Sequence, residues 1–121
     1  MTWLSSLPHQ IPFRAATAVI RRDEKSIEGT FVCTADELLS PQMMLIEAMA
    51  QFGGGLVFAG STHGMLSGID ACEITRVIEP GDVVVVVVMH EASFGGVHRF
   101  RGTGSVAGQE CIRGRFYLSE P

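Results

Sequence analysis

Glu47 and Gln51 stand four residues apart, one helical turn, and so share a face. They are the polar exceptions in a stretch, Met43 to Phe58, that is otherwise apolar. Burying an acid on such an element is costly unless it is paired or used, and burial would raise its pKa towards the range of a general acid or base. A solvated interface residue, or one hydrogen-bonded to a backbone end, is the plainer alternative. Gln51 would orient that acid or bond across a subunit interface. Cys33 is a second candidate, since a thiolate attacks thioesters, but no histidine near it in the sequence would activate it, and beside Phe31 and Val32 a small core residue is the simpler role. His63, His90 and His98 fall on a loop and two strands, and no histidine pair has the spacing of metal ligands. Neither a metal nor a cofactor is expected. Arg99 and Arg101, and again Arg113 and Arg115, share alternation phase, so each pair lies on one strand face. If those faces coincide they form a positive patch on an acidic chain, and a solvated sheet face is the alternative.

The elements that must position these residues are legible in outline. A strand from about Ala15 to Arg22, a polar turn at Asp23-Glu24-Lys25 and a strand from Ser26 to Cys33 form a hairpin, with Ile27, Gly29 and Phe31 on one face. After a loop over 34–39, Ser40 is placed to cap a helix that Pro41 opens. The helix is apolar on nearly every side, the pattern of a buried one. Gly53-Gly54-Gly55 should cost about 1 kcal/mol per glycine relative to alanine, which points to close approach by another element or a ligand. A strand over Met65 to Ile78 leads to Glu79-Pro80-Gly81-Asp82, a type II turn signature. Val83 to Glu91 reads as a strand buried on both faces. Val97 to Val106 and Glu110 to Leu118 form a last hairpin, with Ile112, Gly114, Phe116 and Leu118 on one face.

Composition bounds what such a molecule does. At 121 residues a single domain over 1–121 is expected. With 46% hydrophobic and 18% charged residues, the polar coat is thin for so small a body, and some apolar surface is expected to be buried against another subunit. The net charge of −4 argues against nucleic-acid binding. The odd number of cysteines, without a Cys-x-x-Cys pair or a secretory leader, reads as reduced thiols in a cytoplasmic protein. The longest aliphatic run, Val83 to Met89, is too short to cross a bilayer as a helix, so no membrane partner is expected.

Several segments together carry a resemblance. Leu7-Pro8-His9-Gln10-Ile11-Pro12-Phe13, Leu45-Ile46-Glu47-Ala48-Met49-Ala50-Gln51, Gly68-Ile69-Asp70, Arg76 and Pro80-Gly81-Asp82 are similar in type and spacing to the small β-hydroxyacyl-[acyl-carrier-protein] dehydratases. The similarity runs along essentially the whole chain. It implies an α+β hotdog fold, a curved antiparallel sheet wrapped around one long central helix. It also implies a dimer whose acyl tunnels run at the subunit interface and whose sites draw on both chains. In that family a histidine takes the α-proton of a 3-hydroxyacyl thioester and a helix glutamate helps expel the hydroxyl as water. Glu47 matches the glutamate. The histidine's position falls on Cys33, and the loop signature from Val32 to Leu39 is absent.

The expected substrate is therefore an acyl thioester of carrier protein or coenzyme A. Gln51, Met43, Met44, Gly54 and Phe58 would line its site, and Arg99, Arg101, Arg113 and Arg115 would face an acidic carrier. Dehydration is expected to be reduced, altered or lost. Two other functions fit the same residues. One is thioester hydrolysis by Glu47 and water. The other is a non-catalytic role as one half of a heterodimer whose partner supplies the histidine. A homodimer or a higher even oligomer is the default assembly.

Overall fold

The computed structural model describes residues 16–33, 40–58 and 65–120. The opening Leu7–Phe13 motif, the loop over 34–39 and His63 lie outside these residues. Six strands and one helix follow in the order β1 (Ala16–Arg22), β2 (Ser26–Val32), α1 (Pro41–Val57), β3 (Met65–Ile74), β4 (Val83–Phe94), β5 (Val97–Val106) and β6 (Gln109–Ser119). The strands form one antiparallel sheet in the order β1-β2-β4-β5-β6-β3.

Local chemistry explains the boundaries. Asp23 Oδ1 accepts hydrogen bonds from the Lys25 and Ser26 amides at 2.9 and 2.8 Å, closing the first hairpin. Those bonds hold its carboxyl below the usual carboxylate range. Ser40 caps α1 as expected: its Oγ accepts from the Met43 N–H at 3.2 Å, and Pro41 begins the helix. In the turn after β3, Gly81 has φ +95 and the Asp82 N–H donates to the Glu79 carbonyl at 3.0 Å, as a type II turn requires.

The helix packs on the concave face of the sheet, over Ile27, Phe31, Val84, Val86, Val88 and Phe100, all 1% exposed or less. Close approach is achieved where side chains are absent. A Cβ on Gly29 would lie 2.3 Å from the Phe52 ring, and one on Gly53 3.1 Å from Phe116. The glycine run is thus explained at Gly53, whereas Gly54 has nothing nearer than 3.9 Å.

Two expectations need correction. The strand expected to reach Ile78 ends at Ile74. The valine strand is buried on one face only within a chain: Val84, Val86 and Val88 are fully enclosed, while Val83 is 51% and Met89 39% exposed. A continuous valine run lacks the polar alternation that would mark its outer face, so the sequence hides this asymmetry. No helix among the described residues is long and apolar enough to cross a membrane.

Candidate functional site

Glu47 lies on the second turn of α1 and is half-buried within one chain. Gln51, one turn later, is 3% exposed and donates its amide to Glu47 Oε1 at 3.5 Å. The pairing that the spacing predicts is therefore present. Next to it, Ile46 and Met49 face Ile69, Cys72, Ile112 and Phe116 across an apolar crevice of about 20 Å³, room for little more than one water.

The other residues expected around a substrate are spread along the helix. Met43, at the N-terminal end, is 53% exposed, and Met44 packs partly into the core. Gly54 and Phe58 stand eleven and fifteen residues beyond Met43, roughly 16 and 22 Å along the axis at 1.5 Å per residue. Phe58 ends the helix and packs edge-on against His98, ring centroids 5.3 Å apart. Met43 and Phe58 therefore stand at opposite ends of α1.

Cys33 sits just past β2 and is 1% exposed. Its N–H donates to the Asp82 carbonyl at 2.9 Å, and its carbonyl accepts from the Gly81 N–H at 2.8 Å. The Pro-Gly-Asp turn thus closes over the strand end. Burial, and then the negative charge of Asp82, push the thiol pKa up from 9.0, so the side chain stays protonated and poorly nucleophilic at neutral pH. The core role is the one the geometry supports.

The arginine faces do coincide. Arg101 pairs with Arg115 across β5 and β6, and Arg101, Arg113 and Arg115 line a cleft of about 490 Å³ with Val87, Met89 and Thr103. This cleft lies on the outer face of the sheet, opposite α1, and Glu47 lines neither it nor the crevice. Acidic residues moderate the patch. Arg113 Nη2 is 2.9 Å from Glu73. Glu91 lies 2.9 Å from Arg115 and 3.5 Å from Arg99. Arg101 donates to Met89 Sδ at 3.4 Å. Arg99, which shares Glu91 with Arg115, does not line the cleft, and its guanidinium lies 5.9 Å from the Phe94 ring centroid.

Sequence reasoning missed a polar cluster at the β4–β5 hairpin: His90, Ser93 and His98, with Glu120 beside them. The available signal was the Gly95-Gly96 pair, whose positive φ angles of 57 and 84 close a two-residue hairpin and set Ser93 opposite His98.

No family model matches the chain. Relatives do. A 3-hydroxyacyl-[acyl-carrier-protein] dehydratase FabZ from Thermoanaerobacter sp. (strain X514) is 30% identical over 116 residues, covering 83% of this chain and 81% of the relative. The chain belongs to the FabZ dehydratase family. A FabZ from Rickettsia massiliae is 29% identical, covering 96% of this chain and 89% of its own. Among solved structures, the dehydratase heterocomplex ApeI:P from Xenorhabdus doucetiae superposes with a TM-score of 0.84 at 23% identity, over all of this chain and 91% of that one. A hypothetical thioesterase from Streptococcus pneumoniae, solved with coenzyme A, gives 0.68 at 10% identity, covering 85% of this chain and 84% of its own. These structures share the hotdog fold with this FabZ-family chain, whose single helix lies against a six-stranded curved sheet.

Proposed function

We propose that this FabZ-family chain binds an acyl thioester with Glu47 at the reacting end, and that alone it dehydrates 3-hydroxyacyl thioesters weakly. In the family reaction a base removes the α-proton, the C–O bond to the β-carbon breaks, and an acid delivers a proton so that the hydroxyl leaves as water. Glu47 is suited to the acid's part: it is half-buried on a mostly apolar helix and carries the Gln51 amide. The position of the family's base is Cys33, and a sealed, protonated thiol cannot take that proton. This last observation carries the reading.

The site is completed, in this reading, by a second chain. β3 is an edge strand of ten residues with Met65, Leu66, Ile69 and Ile74 all at least 40% exposed. Such an apolar edge favours strand pairing with another chain, which would bring a second wall to the crevice beside Ile46 and Met49. The thioester's carrier is an acyl carrier protein or coenzyme A in the cytoplasm, and Arg101, Arg113 and Arg115 offer an acidic carrier a partly neutralised docking face.

Hydration of a trans-2-enoyl thioester, the reverse reaction, tests this. A positioned acid or base contributes about 10²–10⁴-fold, so the expected rate lies below that of a histidine-bearing FabZ by a factor in that range, while binding of a non-hydrolysable acyl thioester is retained. A rate equal to such a FabZ, unchanged in Cys33→Ala and abolished in Glu47→Ala, would show a working dehydratase with a different base. The likeness to a dehydratase heterocomplex favours a second reading, in which a histidine-bearing hotdog chain supplies the base. Adding such a partner should then raise the rate above the sum of the separate chains.

A further inference from the structure

The tip of the β4–β5 hairpin holds chemistry that the dehydratase reading does not use. A β-bulge between His90 and Ala92 interrupts the pairing of β4 with β5. The extra residue, Glu91, turns its carboxylate to Arg99 and Arg115, and the shifted alternation brings His90 and Ser93 to one side. His90 Nε2 and His98 Nδ1 lie 3.4 Å apart, and Ser93 Oγ is 2.8 Å from each. On the far side of His98, Nε2 is 3.2 Å from Glu120 Oε1.

These contacts are compatible with one arrangement of the ring protons. A neutral imidazole has one N–H and one lone pair. Glu120 accepts the N–H of His98 Nε2, which leaves the lone pair on Nδ1. His90 Nε2 faces the same hydroxyl, and in the tautomer with the proton on Nδ1 its lone pair is again the inward one. Two lone pairs then converge on one hydroxyl, whose single proton satisfies only one of them. The gap is electron-rich and suited to a cation. Phe58, the C-cap of α1, packs on His98, and α1 has no basic residue in its last turn. The negative end of the helix dipole is therefore close by and without a basic side chain from that turn.

The spacing of the two nitrogens is compatible with a tetrahedral cation. Two imidazole nitrogens bound tetrahedrally at about 2.0–2.1 Å are about 3.3–3.4 Å apart, the separation found here. Imidazole donors suit zinc, copper or nickel rather than magnesium or calcium. We propose that His90 Nε2 and His98 Nδ1 form a binding site for a divalent ion of the zinc class, completed by Ser93 Oγ or water and oriented from outside by Glu120. The described residues hold no cluster of three or more His, Cys, Asp or Glu side chains set to enclose a metal. The site is therefore open, with two protein nitrogens and exchangeable positions. His98 has a side chain only 14% exposed while Ser93 is exposed, so the ion would enter past the serine. It would pin the hairpin tip, and through Glu120 the C-terminal segment.

The experiment is calorimetric titration of metal-stripped protein with zinc chloride, in a Cys72→Ser background that removes the exposed thiol. One equivalent should bind per chain. His90→Gln and His98→Ala should each abolish binding, and Glu120→Gln should weaken it about 10–100-fold. Cobalt(II) should give the visible bands of a tetrahedral nitrogen and oxygen site without thiolate charge transfer. Melting curves accompany each variant, and should His98→Ala fail to fold, the less enclosed His90→Gln decides. Zinc binding that survives His90→Gln, or that is lost instead in His9→Ala or His63→Ala, overturns the proposal. So does covalent labelling of Ser93 by a phosphonylating reagent with no metal bound, which would make the cluster a hydrolytic relay. None of these readouts depends on acyl-thioester binding, so this proposal and the dehydratase reading fail separately.

Discussion

Glu47 and Cys33 occupy the two positions that the family resemblance assigns to acid and base, and their surroundings have diverged. Glu47 is half-buried on a helix turn, with a buried amide turned towards it. Cys33 is shut beneath the Pro80-Gly81-Asp82 turn, bonded to it through both of its backbone polar groups. A half-buried carboxylate can still meet a ligand. A thiol sealed among apolar neighbours contributes volume and nothing ionic at neutral pH. The two positions therefore differ in what a ligand could reach, a half-buried carboxylate at one and an enclosed thiol at the other.

The change expected to disturb both positions most is Phe52→Ala. Phe52 is fully buried, and its ring lies directly over Gly29 of β2, so it joins the helix that carries Glu47 to the strand that ends at Cys33. Removing a buried phenylalanine costs about 3–5 kcal/mol, read as a lower denaturant midpoint at unchanged slope. A loss under about 1 kcal/mol would mean the two positions are held independently, and the comparison would no longer describe one coupled site.

Cys33→Ser sharpens the same contrast from the core side. It places a hydroxyl where nothing apolar can satisfy it, at a cost of about 1–3 kcal/mol. In the native chain a disulfide-exchange reagent should label the exposed Cys72 first, while the buried Cys33 and Cys111 react only as fast as the protein opens. Alkali adds a signed test. Burial raises the folded pKa of Cys33 and of Cys111 above 9.0, so the unfolded chain releases these protons first. Stability is complete below the ordinary thiol value and falls as pH rises past it. Prompt labelling of Cys33 in the folded protein would return it to the list of nucleophiles.

How far the sequence reveals all this depends on how local each feature is. The start of α1 is legible because Ser40 and Pro41 act within one turn. The partnership of Glu47 and Gln51 is legible because it is a four-residue spacing. The hotdog fold is legible because whole segments resemble a family. The outer face of β4 is not, because Val83 to Val88 carries no polar parity. Enclosure of Cys33 depends on a turn nearly fifty residues later. Alternation places the arginines together, but their neutralisation by Glu73 and Glu91 needs the strand register. The histidine cluster needs three things at once: a bulge at Glu91, a hairpin at Gly95-Gly96, and the return of the chain to Glu120.

A smaller effect isolates the helix from the strand. Ser40→Ala removes the side-chain oxygen that accepts from the Met43 N–H and should cost about 1 kcal/mol. The loss falls on the first turn of α1, so hydrogen exchange should quicken at the amides of Met43 and Met44 and remain slow in β2. Equal acceleration in both would show that the helix start and the strand end open as one unit.

The smallest effect on stability, and the most informative on function, is expected from Glu47→Gln. The substitution keeps the shape and the capacity to accept from Gln51, and it removes only the charge and the ability to give or take a proton. For a residue half-open in the single chain the change in unfolding free energy should stay within about 0.5 kcal/mol. Thioester binding should persist, because the apolar walls at Ile46 and Met49 are untouched, while any residual hydration of an enoyl thioester should disappear. Cys33→Ser makes the opposite pattern, with stability lost and turnover unchanged. If Glu47→Gln instead destabilises the chain as a core substitution does and leaves turnover alone, the carboxylate is a structural group, and the asymmetry between the two positions is one of packing rather than of chemistry.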